Sequence, residues 1–459
     1  MSSHFSKRLE KILLIGTDVF LLYIGYILSL FLYYPLTGYE ATTNHTLMLI
    51  TLCILTFYLF DLYADWKRKS SSNLLFTIFL AMMVFTFSTC TFAFFLPDVI
   101  EAYVLLTASF FQFFLIVTAR LSLWHVNKLR YGKKKVLIVS KSNMDGQKMA
   151  EKFHHHHKGW FHVTEIVTIQ NKGSIKKYLT QNDVVIISPE VSRSLQATIT
   201  NLCMRHGKEV LIVPELFEFV LMDAQMQQVD DMMVFSIPSN KVSGIHQIFK
   251  RSMDIVFSLT LLLLLSPVLL ALYVLIPLTS KGSAFFRQER IGMNGKPFQI
   301  IKFRSMIEEA EKITGPVLAL DKDPRITSIG RVLRAIRLDE LPQLLNVLKG
   351  DMSLIGPRPE RSFFINQFKK EIPEYVERLA VKPGITGLAQ VNAYYSTTVQ
   401  DKLRYDLIYV RNCSFILDIK ILLQTIRVVL QRKQAMGVTV KAGVEPKANY
   451  NGITIAKHN

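Results

Sequence analysis

Four nearly uncharged apolar runs crowd the first 130 residues, at 12–34, 46–62, 74–96 and 102–126, and nothing else in the chain restricts its fold as much. Each approaches the ~20 residues that a helix needs to cross ~30 Å of hydrocarbon. Backbone in lipid must satisfy its own polar groups, so runs of this kind form helices. The first run lacks a small-residue cleavage site and reads as a permanent span rather than a signal peptide. Lys7, Arg8 and Lys11 precede it, Lys67, Arg68 and Lys69 follow the second run, and Lys128, Arg130 and Lys133 follow the fourth. The loops at 35–45 and 97–101 contain no Lys or Arg, so the positive-inside rule puts both ends of this four-helix unit in the cytoplasm.

The 459 residues hold 54 Lys plus Arg against 36 Asp plus Glu, a net charge of +18, and half are hydrophobic. Mean hydropathy is +0.26. Disorder and a single soluble domain are excluded, and the length predicts two or three folding units. A basic excess on so apolar a chain suits anionic headgroups rather than nucleic acid. Four dispersed cysteines form neither a disulfide framework nor a zinc motif.

Two charges lie well inside the apolar runs, while Asp61 falls at the very end of the second. Asp18 and Arg120 both fall ~10–12 Å from the inner face at ~1.5 Å per residue. Intramembrane charges need partners, so the shared depth predicts a structural Asp18–Arg120 pair; independent snorkelling to the headgroups is the alternative.

From residue 131 to 240 the pattern changes to short β-type runs, at 136–139, 163–169, 183–187 and 209–213, separated by helical stretches. This predicts a Rossmann-like cytosolic α/β domain. Its first loop, Ser140-Lys-Ser-Asn-Met-Asp-Gly146, lacks the glycines that let backbone approach a pyrophosphate, which argues against a dinucleotide site. The run His154–His157 points around every side of a helix and reads as a solvated stretch.

A fifth apolar run, 255–279, has Lys250 and Arg251 before it and Lys281, Arg287 and Arg290 after it, so both flanks carry the cytoplasmic signature. At its middle, Pro267 removes a backbone donor and the Ser266 hydroxyl can serve a freed carbonyl. Each arm is then ~18 Å, too short to cross. A re-entrant helix over 252–280, bent at Ser266-Pro267, is expected; a proline-kinked span is the alternative.

Beyond it, Asn294-Gly295 between alternating runs marks a hairpin, whose second strand carries Lys302 and Arg304 on one face. Next come Asp323-Pro-Arg325, Arg331, Arg334 and Arg337, and then Asp339-Glu340 ahead of a Leu341, Leu344, Leu345, Leu348 stripe that ends at Gly350. A helix start favours ionised carboxylates. One could attack a diphosphate while the next holds a divalent cation, although simple helix capping also explains such a pair. The bracketing arginines, with Arg358 presented between Pro357 and Pro359, favour a charged ligand, since guanidinium matches phosphate.

Seven ordered motifs carry a resemblance over 250–433: Lys250-Arg251 with Asp254, Ser266-Pro267, Phe286-Arg-Gln-Glu-Arg290, Lys302-Phe-Arg-Ser-Met306, Leu338-Asp-Glu-Leu-Pro-Gln343, Gly350-Asp-Met-Ser-Leu-Ile-Gly-Pro-Arg-Pro359 and Lys382-Pro-Gly-Ile-Thr-Gly387. The chain resembles the bacterial sugar transferases, which are polyprenyl-phosphate hexose-1-phosphate transferases. The four spans and the α/β domain resemble its longer members, which prime capsule, exopolysaccharide or O-antigen synthesis. The resemblance implies transfer of a hexose 1-phosphate from a UDP-sugar, glucose or galactose before N-acetylated sugars, to undecaprenyl phosphate with release of UMP. It implies Asp339 as nucleophile, Glu340 as Mg²⁺ ligand and Arg358 as phosphate ligand. Lys302, Arg304, Arg325, Arg334 and Arg337 are further phosphate-binding candidates by their own charge and position.

The expected architecture is an integral membrane α plus α/β protein: spans over 1–130, the α/β domain over 131–240, a mainly α catalytic domain over 241–436 and a tail over 437–459. It would lie in the bacterial inner membrane, catalytic side to the cytoplasm, with a homodimer plausible. The stretch 415–433 reads as an interfacial amphipathic helix, or else a core helix. Rival readings are a UDP-releasing glycosyltransferase built on Asp321-Lys-Asp323, a nucleotide-sugar dehydratase, and a non-catalytic platform for polysaccharide export.

Overall fold

The computed structural model describes residues 2–37, 43–64, 70–95, 102–156, 160–169, 175, 178–237, 244–308, 323–394 and 397–431. The side chains of His154–His157, Asp321 and Lys322, and the 437–459 tail, lie outside them. Two units meet in the sequence between Glu215 and Leu216.

The first unit opens with four helices, α1 (Ser2–Thr37), α2 (Thr43–Leu59), α3 (Ser71–Phe95) and α4 (Ala102–Tyr131). Three contain stretches long and apolar enough to cross a membrane, Arg8–Tyr33, Ser71–Phe95 and Tyr103–Arg130, whereas the apolar part of α2 is the shorter Met48–Leu59. Polar links join α1 to α4 where lipid offers no alternative partner. The Ser29 hydroxyl donates to Val104 O at 2.8 Å, Gln112 Nε2 to Leu22 O at 2.9 Å, and Arg120 Nη2 to Asp18 Oδ2 at 2.5 Å. Gly25 makes this approach possible, because a Cβ there would stand 2.5 Å from Gln112 Cγ. Asp18 and Arg120 are both almost wholly buried, and the Tyr63 ring lies 5.6 Å from the guanidinium.

The same unit continues with β1 (Lys134–Ser140), α5 (Asn143–His156), β2 (Phe161–Thr168), β3 (Val184–Ile187), α6 (Arg193–Arg205) and β4 (Glu209–Ile212). The strands form a parallel sheet in the order β2-β1-β3-β4. Alternate residues serve opposite faces: Leu137, Val139, Val185 and Ile187 pack with Ile199 and Cys203, while Val136, Ile138, Val184 and Ile186 pack with Met149. Burial on both faces is what parallel strands require.

The second unit begins at α7 (Leu216–Val220), whose Leu216 and Phe219 pack with Ile365, Tyr375, Leu403 and Leu407. A hairpin of β5 (Gln225–Val229) and β6 (Met232–Ser236) follows. The boundary expected at 240 therefore moves back to 215, because these apolar contacts tie the intervening segment to later parts of the chain.

Helices α8 (Gly244–Leu264) and α9 (Ser266–Thr279) meet at Leu265 with a 64° bend. The Ser266 hydroxyl donates to Leu263 O at 2.7 Å, and Pro267 occupies the first turn of α9, where it needs no donor. The helix starts at Gly244, earlier than the expected 252, and its first two turns expose Ile245, Ile248 and Phe249 while Lys250 and Arg251 dock on later parts of the chain. Lys250 Nζ reaches Asp418 at 2.8 Å, the Tyr409 hydroxyl at 3.0 Å and Ile355 O at 3.1 Å. The arms then expose Leu263, Leu264, Leu270, Leu275 and Leu278.

The remaining elements are β7 (Phe285–Ile291), β8 (Pro297–Phe303), α10 (Ser328–Ala335), α11 (Gln343–Lys349), β9 (Ser353–Ile355), α12 (Ser362–Glu371), β10 (Gly384–Thr386), α13 (Leu388–Asn392), α14 (Val399–Arg411) and α15 (Phe415–Gln431). One face of α15 joins the core through Leu417, Ile421 and Val428. Phe415, Ile416, Ile426 and Leu430 remain exposed, so the helix is at once core and apolar surface.

Candidate active site

Three devices place the carboxylate pair. Strands β7 and β8 pair in antiparallel register from Phe285↔Phe303 to Ile291↔Pro297, and their turn puts Asn294 at φ 55° and Gly295 at φ 76°, the left-handed region that this dipeptide tolerates. Asn346 on α11 then ties β8 down, accepting from Ile301 N at 3.0 Å and donating to Gln299 O at 2.7 Å. Finally, α10 is capped by Thr327, whose hydroxyl accepts from Gly330 N at 3.0 Å, and the chain reverses at Arg337 with φ 58°. A single 3-10 turn, Leu338–Glu340, carries both carboxylates ahead of α11.

The predicted leucine stripe is only partly right. Leu344 is buried but Leu345 is exposed, and Gln343, Asn346 and Val347 face inward, because α11 uses one flank to hold β8 by hydrogen bonds.

Cations surround Glu340. Arg358 Nη2 donates to Oε1 at 2.7 Å, Lys302 Nζ stands 4.0 Å from the same oxygen, and Arg337 Nη1 is 3.7 Å from Oε2. Burial alone would raise the Glu340 pKa, yet Arg358, Lys302 and Arg337 outweigh it and hold the group at about 2. Asp339 is pushed the other way by burial and by the Glu340 charge, with Lys302, Arg334 and Arg358 opposing. Burial, with Arg358 beside it, lowers Lys302 to about 8. Asp339 has no hydrogen bond or ion pair with any described residue, and Arg334 keeps a buried Nη1 without a hydrogen-bond partner among them. Four cations, Lys302, Arg334, Arg337 and Arg358, thus meet two carboxylates, a surplus that suits a phosphorylated anion.

Two predicted phosphate ligands are otherwise engaged. Arg304 turns away from the dyad and donates to Ser280 O at 2.7 Å, to the Ser280 hydroxyl at 2.9 Å and to Lys281 O, pinning the exit of α9. Arg325 forks onto Asp323 at 2.8 and 2.5 Å and is buried with it. Alternation of strand side chains put Arg304 with Lys302, but β8 ends at Phe303 and the next side chain follows the turn instead.

Arg358 is presented by two interlocked loops. Strand β9 pairs with β10, Gly356 N donates to Thr386 O at 2.9 Å and Gly384 N to Pro357 O at 3.0 Å. A Cβ at Gly356 would lie 2.2 Å from Lys382 O, so the glycines on both loops are steric requirements. The base of α8 braces the same region: Asp254 accepts from Leu354 N at 2.9 Å and from the Ser353 hydroxyl at 3.0 Å. Arg251 donates to Val347 O at 2.6 Å and Leu348 O at 2.7 Å, capping the C-terminal carbonyls of α11. Sequence reasoning missed Asn346 and this bracing, since the partners lie 45 to 105 residues apart and no spacing joins them.

No group of three or more His, Cys, Asp or Glu side chains fit for a metal occurs among the described residues. Two adjacent carboxylates nonetheless suit Mg²⁺, which binds through one or two such groups while substrate phosphates complete its shell.

A membrane protein of α and α/β parts, with a cation-ringed carboxylate pair beside a bent apolar helix, is the class that fold and site define. The family described as Bacterial sugar transferase matches residues 245–432. A UDP-glucose:undecaprenyl-phosphate glucose-1-phosphate transferase of Klebsiella pneumoniae is 36% identical over 274 residues, 58% of this chain and 56% of the relative. A UDP-N-acetylgalactosamine-undecaprenyl-phosphate N-acetylgalactosaminephosphotransferase of Aeromonas hydrophila is 47% identical over 191 residues, 41% of this chain and 45% of the relative. A UDP-glucose:undecaprenyl-phosphate glucose-1-phosphate transferase of Caulobacter vibrioides is 43% identical over 184 residues, 39% of this chain and 68% of the relative. The chain belongs to the bacterial sugar transferases. Its matched part spans about half the length of the first two relatives.

Proposed function

We propose that the protein transfers a hexose 1-phosphate, from UDP-glucose or UDP-galactose, to undecaprenyl phosphate and releases UMP, the priming step of a surface polysaccharide. The observation that carries this reading is the asymmetry of the dyad: Glu340 is held ionised by Arg358, Lys302 and Arg337, while Asp339 has no ion-pair partner among the described residues. One carboxylate is free to attack and its neighbour is fixed by the charges that would bind phosphate.

In the first half-reaction an Asp339 oxygen attacks the sugar-linked phosphorus, the bond to the UMP oxygen breaks, and UMP leaves with that electron pair. Arg358, Arg334 and Lys302 stabilise the charge as it moves to the departing phosphate. In the second half-reaction the lipid phosphate attacks the phosphosugar-aspartate and restores the free carboxylate. Mg²⁺, held at Glu340, would supply charge neutralisation on the phosphates. No proton transfer is needed at either leaving group, which accords with a site of fixed cations rather than acids.

The bent pair α8 and α9 is read as a re-entrant element in the cytoplasmic leaflet, and α1 to α4 as four spans with cytoplasmic ends. Cationic flanks on both sides of residues 255–279 support this. A site at headgroup depth would meet an acceptor phosphate that cannot leave the membrane.

Mass spectrometry of protein quenched with donor alone tests the chemistry: a hexose-phosphate adduct on Asp339 is expected, and Asp339→Ala should abolish it. Full turnover by that variant would overturn the reading. Release of UDP instead of UMP would favour a glycosyltransferase based on Asp321 and Asp323, although Asp323 is committed to Arg325. A panel of UDP-hexoses and UDP-N-acetylhexosamines identifies the sugar.

A further inference from the structure

Behind the Pro-Arg-Pro turn lies a second pair of charges that the chemistry above does not use. Arg378, in the 3-10 segment Pro373–Ala380, and Asp406, on α14, are 5% and 3% exposed. Arg378 Nε and Nη2 donate to Asp406 Oδ2 at 2.9 and 2.8 Å, and Nη1 donates to the Tyr375 hydroxyl at 3.1 Å. Nη2 also donates to the main-chain carbonyl of Arg358 at 2.9 Å. Apolar residues of similar volume would fill this space without the desolvation cost of two buried ions, so stability alone does not account for the pair.

The conformation of Arg358 does account for it. Pro357 fixes its own φ, and Pro359 restricts the residue before it to the extended region. Within that region, the carbonyl of Arg358 can still rotate. Its side chain is two-fifths exposed and long and flexible, so packing alone does not substitute for a fixed backbone.

We propose that Arg378, oriented by Asp406, is the positioning residue for Arg358: its N–H on the Arg358 carbonyl sets the direction from which that guanidinium meets Glu340 and the donor phosphates. The inference rests on the role given to Arg358 in the proposed function. Asp406 is a lever one step further back, acting only through Arg378.

The test is a double-mutant cycle on the full chain in nanodiscs, following UMP release with a UDP-sugar and undecaprenyl phosphate. Arg378→Lys keeps the charge and loses the fork, and Asp406→Asn keeps shape and loses the charge; each is made alone and with Arg358→Lys. A displacement of ~1 Å at a catalytic group costs about 10²-fold, so each single variant should lose roughly 10- to 100-fold in kcat with less than about threefold change in donor KM. In the Arg358→Lys background the further loss should be under about threefold, because there is no fork left to position. Losses that multiply in both backgrounds would show a merely structural role and overturn the inference. So would failure of both Arg378→Lys and Asp406→Asn to accumulate as folded protein by thermal unfolding. Full turnover by Arg358→Lys alone is a different result, removing the role of Arg358 in the proposed function and the inference with it.

Discussion

At Glu340 burial opposes ionisation and three cations favour it, and the cations prevail. Glu340→Gln removes the charge that raises Asp339 and leaves Arg358 a neutral acceptor in place of its ion pair. We expect kcat to fall by roughly 10²- to 10³-fold, the scale for losing one preorganised electrostatic group, with the thermal midpoint little changed. UMP release measures the first and calorimetry the second. Lys302 gives a pH dependence with a definite sign. Its ammonium is held at about 8, so its positive charge is present below that pH and lost above it. Donor turnover should therefore decline above about pH 8, and Lys302→Arg, which stays protonated, should carry the plateau higher. On the acid side, activity falls as Asp339 protonates, at a pH above that of an ordinary aspartate.

At the scale of elements, the junction at Leu265 links sequence to membrane geometry. Pro267 forces a helix start and the Ser266 hydroxyl repairs a carbonyl, leaving two arms with a 64° bend. A cysteine replacing Lys281 is expected to react with an impermeant maleimide only in opened cells. Replacing both Ser266 and Pro267 with leucine should straighten the run and make the same cysteine reactive from outside. Helices α1 and α4 offer a second test. Reversing Asp18 or Arg120 alone leaves two like charges buried together, a loss on the scale of about 3–5 kcal/mol, and should abolish membrane accumulation. The double reversal, Asp18→Arg with Arg120→Asp, should recover it on immunoblots of membranes.

Every residue assigned to chemistry lies in the second unit, along with the bent helix. A chain of residues 216–459 is therefore expected to keep at least a tenth of the full-length kcat in detergent, measured as UMP release. What could be read beforehand was whatever repeats locally. Apolar runs, the short β-type runs of the α/β part, the Asn-Gly turn and the Ser-Pro break each depend on neighbours within a few residues, and all were legible. Arg304 and Leu345 were misplaced because a side chain one residue past a strand, or on a short helix, follows tertiary partners rather than period, and Arg325 because its turn folds it back onto Asp323.

Asn346 on the edge of β8, Lys250 with Asp418, and Arg378 with Asp406 could not be anticipated, being contacts across 28 to 168 residues that only packing creates. By itself, then, the sequence determined the kinds of element and the residue types at the dyad, since local sterics and transfer free energies depend on nearby atoms alone. Only the tertiary structure decided which carboxylate is tied and which is free, because that depends on where distant cations come to rest in a medium of low dielectric.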